Sequence, residues 1–167
     1  MNIEELKKDK KYAKVDFEHA DLKLGQLGEI TTYDKLKVLF PKIQKSKDFF
    51  SPFDYYSNDE NGEIDLLVEV KTRRVNINTY PTLAFGKSKM SAGNGHRRKN
   101  KNIRILFCWL LENNELYFWE YFGSKSKLEY EFSYISNVKR HQKPSESVMV
   151  KTEFIKPFNY HNILSAK

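Results

Sequence analysis

The chain has a single cysteine, Cys108, among its 167 residues, so it can build neither a disulfide framework nor a cysteine zinc site. Cys108 lies inside the apolar run 103–111, which reads as a small buried hydrophobe rather than a nucleophile. The histidines His19, His96, His141 and His161 are far apart, and no two stand at metal-ligand spacing. Long apolar runs are also missing. Nothing reaches the length of a spanning helix, and residues 1–14 are charged throughout with no apolar h-region. The expectation is an intracellular protein, not a secreted one. No internal repeat or linker-like stretch divides the sequence, so a single domain over residues 1–167 is expected, with a charged leader over 1–21. The most one-sided absence is of acid: residues 72–111 contain no Asp or Glu.

What is present is bulky apolar material and positive charge. Hydrophobic residues make up 40% of the chain and aromatics 14%, enough to bury a core. Lys and Arg number 29 against 22 Asp and Glu, a formal net charge of +7, which points to a polyanionic partner. An anionic membrane lacks support, for want of an apolar run.

Periodicity predicts an α/β fold, a mixed sheet flanked by helices. Leu24, Leu27, Ile30 and the run 36–40 give an approximate helical stripe, so a helix is expected over 22–39, ending before Pro41 and carrying Glu29. Residues 53–56 and 64–71 are aromatic and branched, and the turn signal 58–62 between them contains Asn61-Gly62: a β-hairpin. A second hairpin is expected from 103–111 and 116–122, its first strand apolar enough for the middle of a sheet. Between the hairpins, residues 80–90 suit a short helix, and 91–102, rich in Gly, Asn and basic residues, read as a mobile loop. Towards the end, a helix is expected near 125–138, a loop over 142–147 and a strand over 148–155.

The first hairpin carries the chemistry. A two-residue Asn61-Gly62 loop pairs Glu60 with Glu63, and counting back sets Asp54 opposite Glu69. Two carboxylates side by side repel and call for a cation. Lys71, two residues past Glu69, shares its face by the period-two rule. Hard divalent cations such as Mg2+ take oxygen ligands, and two carboxylates with water and substrate phosphate would suit one. Asp65 has the same parity as Glu69 and Lys71 and is the rival aspartate. Glu69 interrupts Leu66, Leu67, Val68 and Val70 in a strand that otherwise reads as buried, where an unpaired carboxylate would be costly.

Pro52-Phe53-Asp54, fourteen residues, then Glu69-Val70-Lys71 resembles the PD-(D/E)xK nuclease superfamily, whose members include restriction endonucleases, junction resolvases and phage- or virus-type nucleases. The resemblance covers roughly residues 22–111, and the expected helix, strand meander, helix and strand follow the family's order. It implies a restriction-endonuclease-like core and a metal-dependent endonuclease hydrolysing phosphodiester bonds, of DNA rather than RNA. By the same resemblance Asp54, Glu69 and the Val70 carbonyl would hold Mg2+, with Mn2+ able to substitute. Lys71 would position or deprotonate the attacking water, and Glu29 would support a second metal or the first ion's water shell. A resolvase acting on branched DNA, often a homodimer, stays open on this reading, as does a non-catalytic nucleic-acid-binding protein on the same fold.

The acid-free segment supplies the expected phosphate contacts. Arg73, Arg74, Lys87, Lys89, His96, Arg97, Arg98, Lys99 and Lys101 are the candidates, with Arg104 a further base in the run. Tyr55, Tyr56, Tyr80 and Phe85 could stack on bases, although core packing is the usual duty of any one aromatic.

Overall fold

The computed structural model describes residues 20–47, 51–135 and 145–165. Helix α1 (Ala20–Leu39) ends before Pro41, as expected of a residue that cannot continue a helix. It is followed by β1 (Gln44–Lys45), β2 (Tyr55–Asn58), β3 (Ile64–Thr72), β4 (Thr82–Gly86), α2 (Lys87–Lys99), β5 (Arg104–Leu110) and β6 (Leu116–Glu120). Then come β7 (Tyr130–Ile135), β8 (Ser145–Lys151), β9 (Lys156–Pro157) and α3 (Tyr160–Ser165), with 3-10 turns at Gly123–Ser126 and Thr152–Phe154. Among the described residues no helix is long and apolar enough to cross a membrane.

The chain is α/β with a mixed sheet in the order β1-β2-β3-β5-β6-β9 and a second sheet in the order β4-β8-β7. In the larger sheet β3 and β5 are parallel, and the other neighbours are antiparallel. A parallel pair needs a crossover, and this one carries β4 and α2. The β3 run reads as almost continuously apolar because both of its faces are covered. Leu66, Val68 and Val70 share a core with Leu36 of α1, Cys108 and Phe118. Leu67 joins Phe107, Trp109, Phe85 and Val148 in the core on the opposite face. Cys108 is 1% exposed, and burial pushes its thiol up, as expected of an inert core residue. The helix α1 lies so close to β3 that a Cβ on Gly28 would fall 1.7 Å from the Thr72 hydroxyl oxygen, so that no side chain fits there.

Several expected elements differ. The mobile loop expected over 91–102 is helical as far as Lys99. Its glycines misled: Gly93 is buried, and a Cβ there would stand 3.0 Å from Ile105 and 3.6 Å from Phe53, so glycine serves close packing of α2 on β5 rather than mobility. Residues 82–86, placed in a short helix by the sequence, form β4. The helix expected near 125–138 is a 3-10 turn followed by β7, in which Tyr130, Phe132 and Tyr134 alternate with Glu131, Ser133 and Ile135 in the period of a strand. The expected strand over 148–155 starts at Ser145, within the loop expected over 142–147, and gives way at Thr152 to a 3-10 turn. Residues 1–19, with His19, and 136–144, with His141, lie outside the described residues.

Candidate active site

The hairpin reaches the expected neighbourhood by a different route. Asp59, not Glu60, pairs with Glu63: its N–H donates to the Glu63 carbonyl at 2.8 Å, while its carboxylate accepts the N–H groups of Asn61 and Glu63. Gly62 turns the chain at φ +83°, a conformation open to glycine. The three-residue loop moves the register by one, and a β-bulge then moves it back, so that Asn58 pairs with Ile64 but Ser57 with Leu66 and Tyr55 with Val68. Asp65 is the extra residue of the bulge, and its carboxylate accepts the Ser57 hydroxyl at 2.5 Å. Four residues of strand, about 13 Å, separate it from Glu69.

Asp54 lies one residue before β2 begins. Its N–H donates to the Val68 carbonyl at 3.0 Å, and its Oδ2 accepts the Val70 N–H at 2.7 Å. The carboxylate thus takes the place of a strand neighbour against the backbone between Glu69 and Lys71. Burial, then the negative charge of Glu69, pushes the Asp54 carboxyl up to about 6, against the pull of the Val70 N–H and the Lys71 ammonium. Among the described residues no other hydrogen bond reaches this carboxylate.

Glu69 is only 1% exposed, and both its oxygens are held by ammonium groups. Lys71 Nζ stands 2.5 Å from Oε1, as the shared strand face predicts. Lys89 Nζ, from the first turn of α2, stands 2.9 Å from Oε2. The sequence placed Lys89 among the phosphate contacts and did not connect it with Glu69. A carboxylate so buried is tolerated only when charges and hydrogen bonds satisfy it, and the two lysines do so. Glu29 stands farther off. Its carboxylate pairs with Lys45 at 2.7 Å, its carbonyl accepts the Tyr55 hydroxyl at 2.6 Å, and its charge is the weakest of the influences on Asp54. The structure therefore gathers Asp54, Glu69, Lys71 and Lys89, with Glu29 within electrostatic reach, and leaves Asp65 aside. Among the described residues no three His, Cys, Asp or Glu side chains stand where they could jointly hold a metal ion.

The remaining basic candidates divide. Arg74, Arg98, Lys99 and Lys101 are exposed, as is Arg73, whose guanidinium also donates to the Thr72 carbonyl at 3.0 Å. Arg97 is committed to the fold, donating to the Ile103 carbonyl at 3.1 Å. Lys87 pairs with Glu146 at 2.6 Å. His96 lies edge-on to Phe53, its pKa lowered by burial and by Lys99. Arg104 grips Glu120 with two hydrogen bonds, a structural pair. Of the candidate stacking aromatics, Tyr55 is 1% and Phe85 3% exposed, the latter stacked on Phe107 at 3.7 Å, so neither can meet a base. Tyr56 is half-buried and Tyr80 exposed.

In comparisons with known proteins, no family model, no curated protein and no solved structure matches this chain.

Proposed function

We propose that the chain is a metal-dependent nuclease, hydrolysing phosphodiester bonds of DNA at Asp54, Glu69 and Lys71. The observation that carries this reading is the meeting of two carboxylates in a buried spot, one of them raised to about 6 by burial and by the charge of the other, which two ammonium groups hold. A binding protein without catalysis would need the basic surface but not this buried acid. The order of helix, antiparallel strands bearing the motif, crossover helix and parallel strand supports the resemblance to PD-(D/E)xK nucleases and a restriction-endonuclease-like core.

The donor set fits a hard cation. Asp54 has an oxygen that no hydrogen bond reaches among the described residues, and with Glu69, whose oxygens the two lysines would then share, it would make the two-carboxylate set that Mg2+ accepts when water and substrate phosphate complete its shell. Asp54, Glu69 and the Val70 carbonyl would hold it, and Mn2+ would substitute. Bound there, the cation supplies Lewis-acid polarisation of the scissile phosphate. The chain's own groups do the rest. Lys71 would orient the attacking water, and Lys89, on the other oxygen of Glu69, holds that carboxylate in place. Glu29, on α1, adds a weak further push upward on the Asp54 carboxyl.

Incubation with supercoiled, linear, single-stranded and branched DNA, with Mg2+, Mn2+ or EDTA, tests the proposal. Nicking or linearisation in either metal and none in EDTA is expected. Intact DNA in every metal condition overturns it.

A further inference from the structure

The second sheet carries a row of aromatics that begins against the core and leaves it. Tyr130, Phe132 and Tyr134 of β7 pair with Val150, Val148 and Glu146 of β8 and share their face of the sheet. Val148 and Val150 are fully buried in the core, so this is the inner face. Exposure grows along the strand: Tyr130 packs edge-on against Trp119, Phe132 is 50% exposed and Tyr134 is 73% exposed. The inner face therefore runs out of the core into solvent.

It emerges at the first turn of α2, the turn that also reaches the candidate active site. Lys87 Nζ lies 4.8 Å from the centre of the Phe132 ring, and two residues on, in the same helical turn, Lys89 reaches Glu69. Lys71 and Lys89 pair with Glu69, while Lys87, over the Phe132 ring, pairs with Glu146, the β8 partner of Tyr134. Same-face residues on a strand stand about 6.8 Å apart. That is about twice the 3.4 Å rise per nucleotide of a stacked strand, a spacing suited to a strand pulled open.

We infer that Phe132 and Tyr134 form a stacking platform for a single-stranded stretch of nucleic acid leading to or from the Asp54–Glu69 site. The inference rests on the nuclease reading and narrows its substrate to single-stranded or splayed DNA. Every base has a face that an aromatic ring can cover, so such a platform binds without regard to sequence. The chain's net charge of +7 suits the phosphates that accompany the bases. Paired and stacked bases of a duplex offer no face to these rings.

Fluorescence anisotropy in EDTA, where cleavage plays no part, reads this directly with a labelled oligothymidylate of about twelve nucleotides and a matched duplex. Tyr134→Ala, at a position too exposed to matter for folding, is expected to weaken binding of the single strand about 5- to 150-fold and leave the duplex unchanged. Tyr134→Trp is expected to retain affinity and to show fluorescence quenching on binding. Unchanged single-strand affinity in Tyr134→Ala and in Phe132→Ala overturns the inference, and so does an equal loss for strand and duplex. A wild-type dimer that becomes monomeric in Tyr134→Ala, seen by sedimentation, also overturns it, assigning the rings to a second copy of the chain. Plasmid cleavage in Mg2+ by the same preparations separates the two readings. Cutting with no role for the rings sinks the platform alone, whereas single-strand binding that depends on Tyr134, without cutting of any DNA, sinks the nuclease alone.

Discussion

Lys89, in the first turn of α2, places its ammonium 2.9 Å from an oxygen of Glu69 on β3, a residue 20 positions earlier in the chain. The contact turns the motif lysine's partner into a carboxylate held from both sides, and it requires the crossover through β4 and α2 to return the chain to the end of β3.

Removing Lys89 should therefore act on the site rather than on affinity for nucleic acid. Lys89→Ala leaves Glu69 with one ammonium in a buried setting, and a loss of stability of up to about 3 kcal/mol is expected. The salt dependence of DNA binding should stay as in the wild type, because this lysine is engaged with a carboxylate. Urea unfolding together with binding over a salt series checks both. A shallower salt slope with full stability would return Lys89 to phosphate contact.

The raised Asp54 carboxyl gives a pH prediction with a definite sign. Its folded pKa, about 6, lies above its ordinary value, so the folded state binds the proton more tightly and stability falls as pH rises from about 4 to 6. The cost above pH 7 is about 3 kcal/mol. Asp54→Asn should therefore be more stable than the wild type at pH 8 by up to that amount, the difference vanishing below pH 4. Mg2+ should raise the Tm of the wild type and not that of Asp54→Asn. Cleavage should vanish in Asp54→Asn and Glu69→Gln and survive in Asp65→Asn. Thermal unfolding at several pH values, with a plasmid assay beside it, tests each part.

Lys71→Ala should cut the cleavage rate about 100- to 10,000-fold, the usual contribution of a positioned acid-base group. Mg2+ should still raise the Tm, since an ammonium is no ligand. Lys71→Arg should not restore the rate, because a guanidinium stays protonated. Single-turnover kinetics in Mg2+ would expose a mistaken role through an undiminished rate in Lys71→Ala.

The exposed bases at the end of α2 should supply affinity. Each phosphate neutralised contributes about 0.9 to the slope of log affinity against log salt, so replacing Arg98, Lys99 and Lys101 with Ser should flatten it by up to about 3. Binding should weaken alike across sequences. Arg97→Ser should instead lower stability, because its guanidinium holds the Ile103 carbonyl. Filter binding in Ca2+ distinguishes the two sets, and an unchanged slope in the triple variant removes these residues from the interface.

The sequence by itself determined the local pieces. The stop at Pro41, the apolar strand 103–111 and the parity of Glu69 and Lys71 are written in patterns a few residues long, because side chains alternate along a strand and proline cannot continue a helix. It also brought Asp54 to the right neighbourhood, although a three-residue turn and a bulge, unseen in the sequence, cancelled each other on the way. Only the tertiary structure decided that Gly93 belongs to a helix, since its missing side chain is what lets α2 rest on Ile105 and Phe53. It also decided that Tyr55 and Phe85 are core while Phe132 and Tyr134 reach solvent, because exposure depends on where a second sheet ends and not on residue type. Lys89 belongs to the same class. Its charge is plain in the sequence, but its partner is set by a chain crossover, and no local pattern records which carboxylate lies at the far end of one.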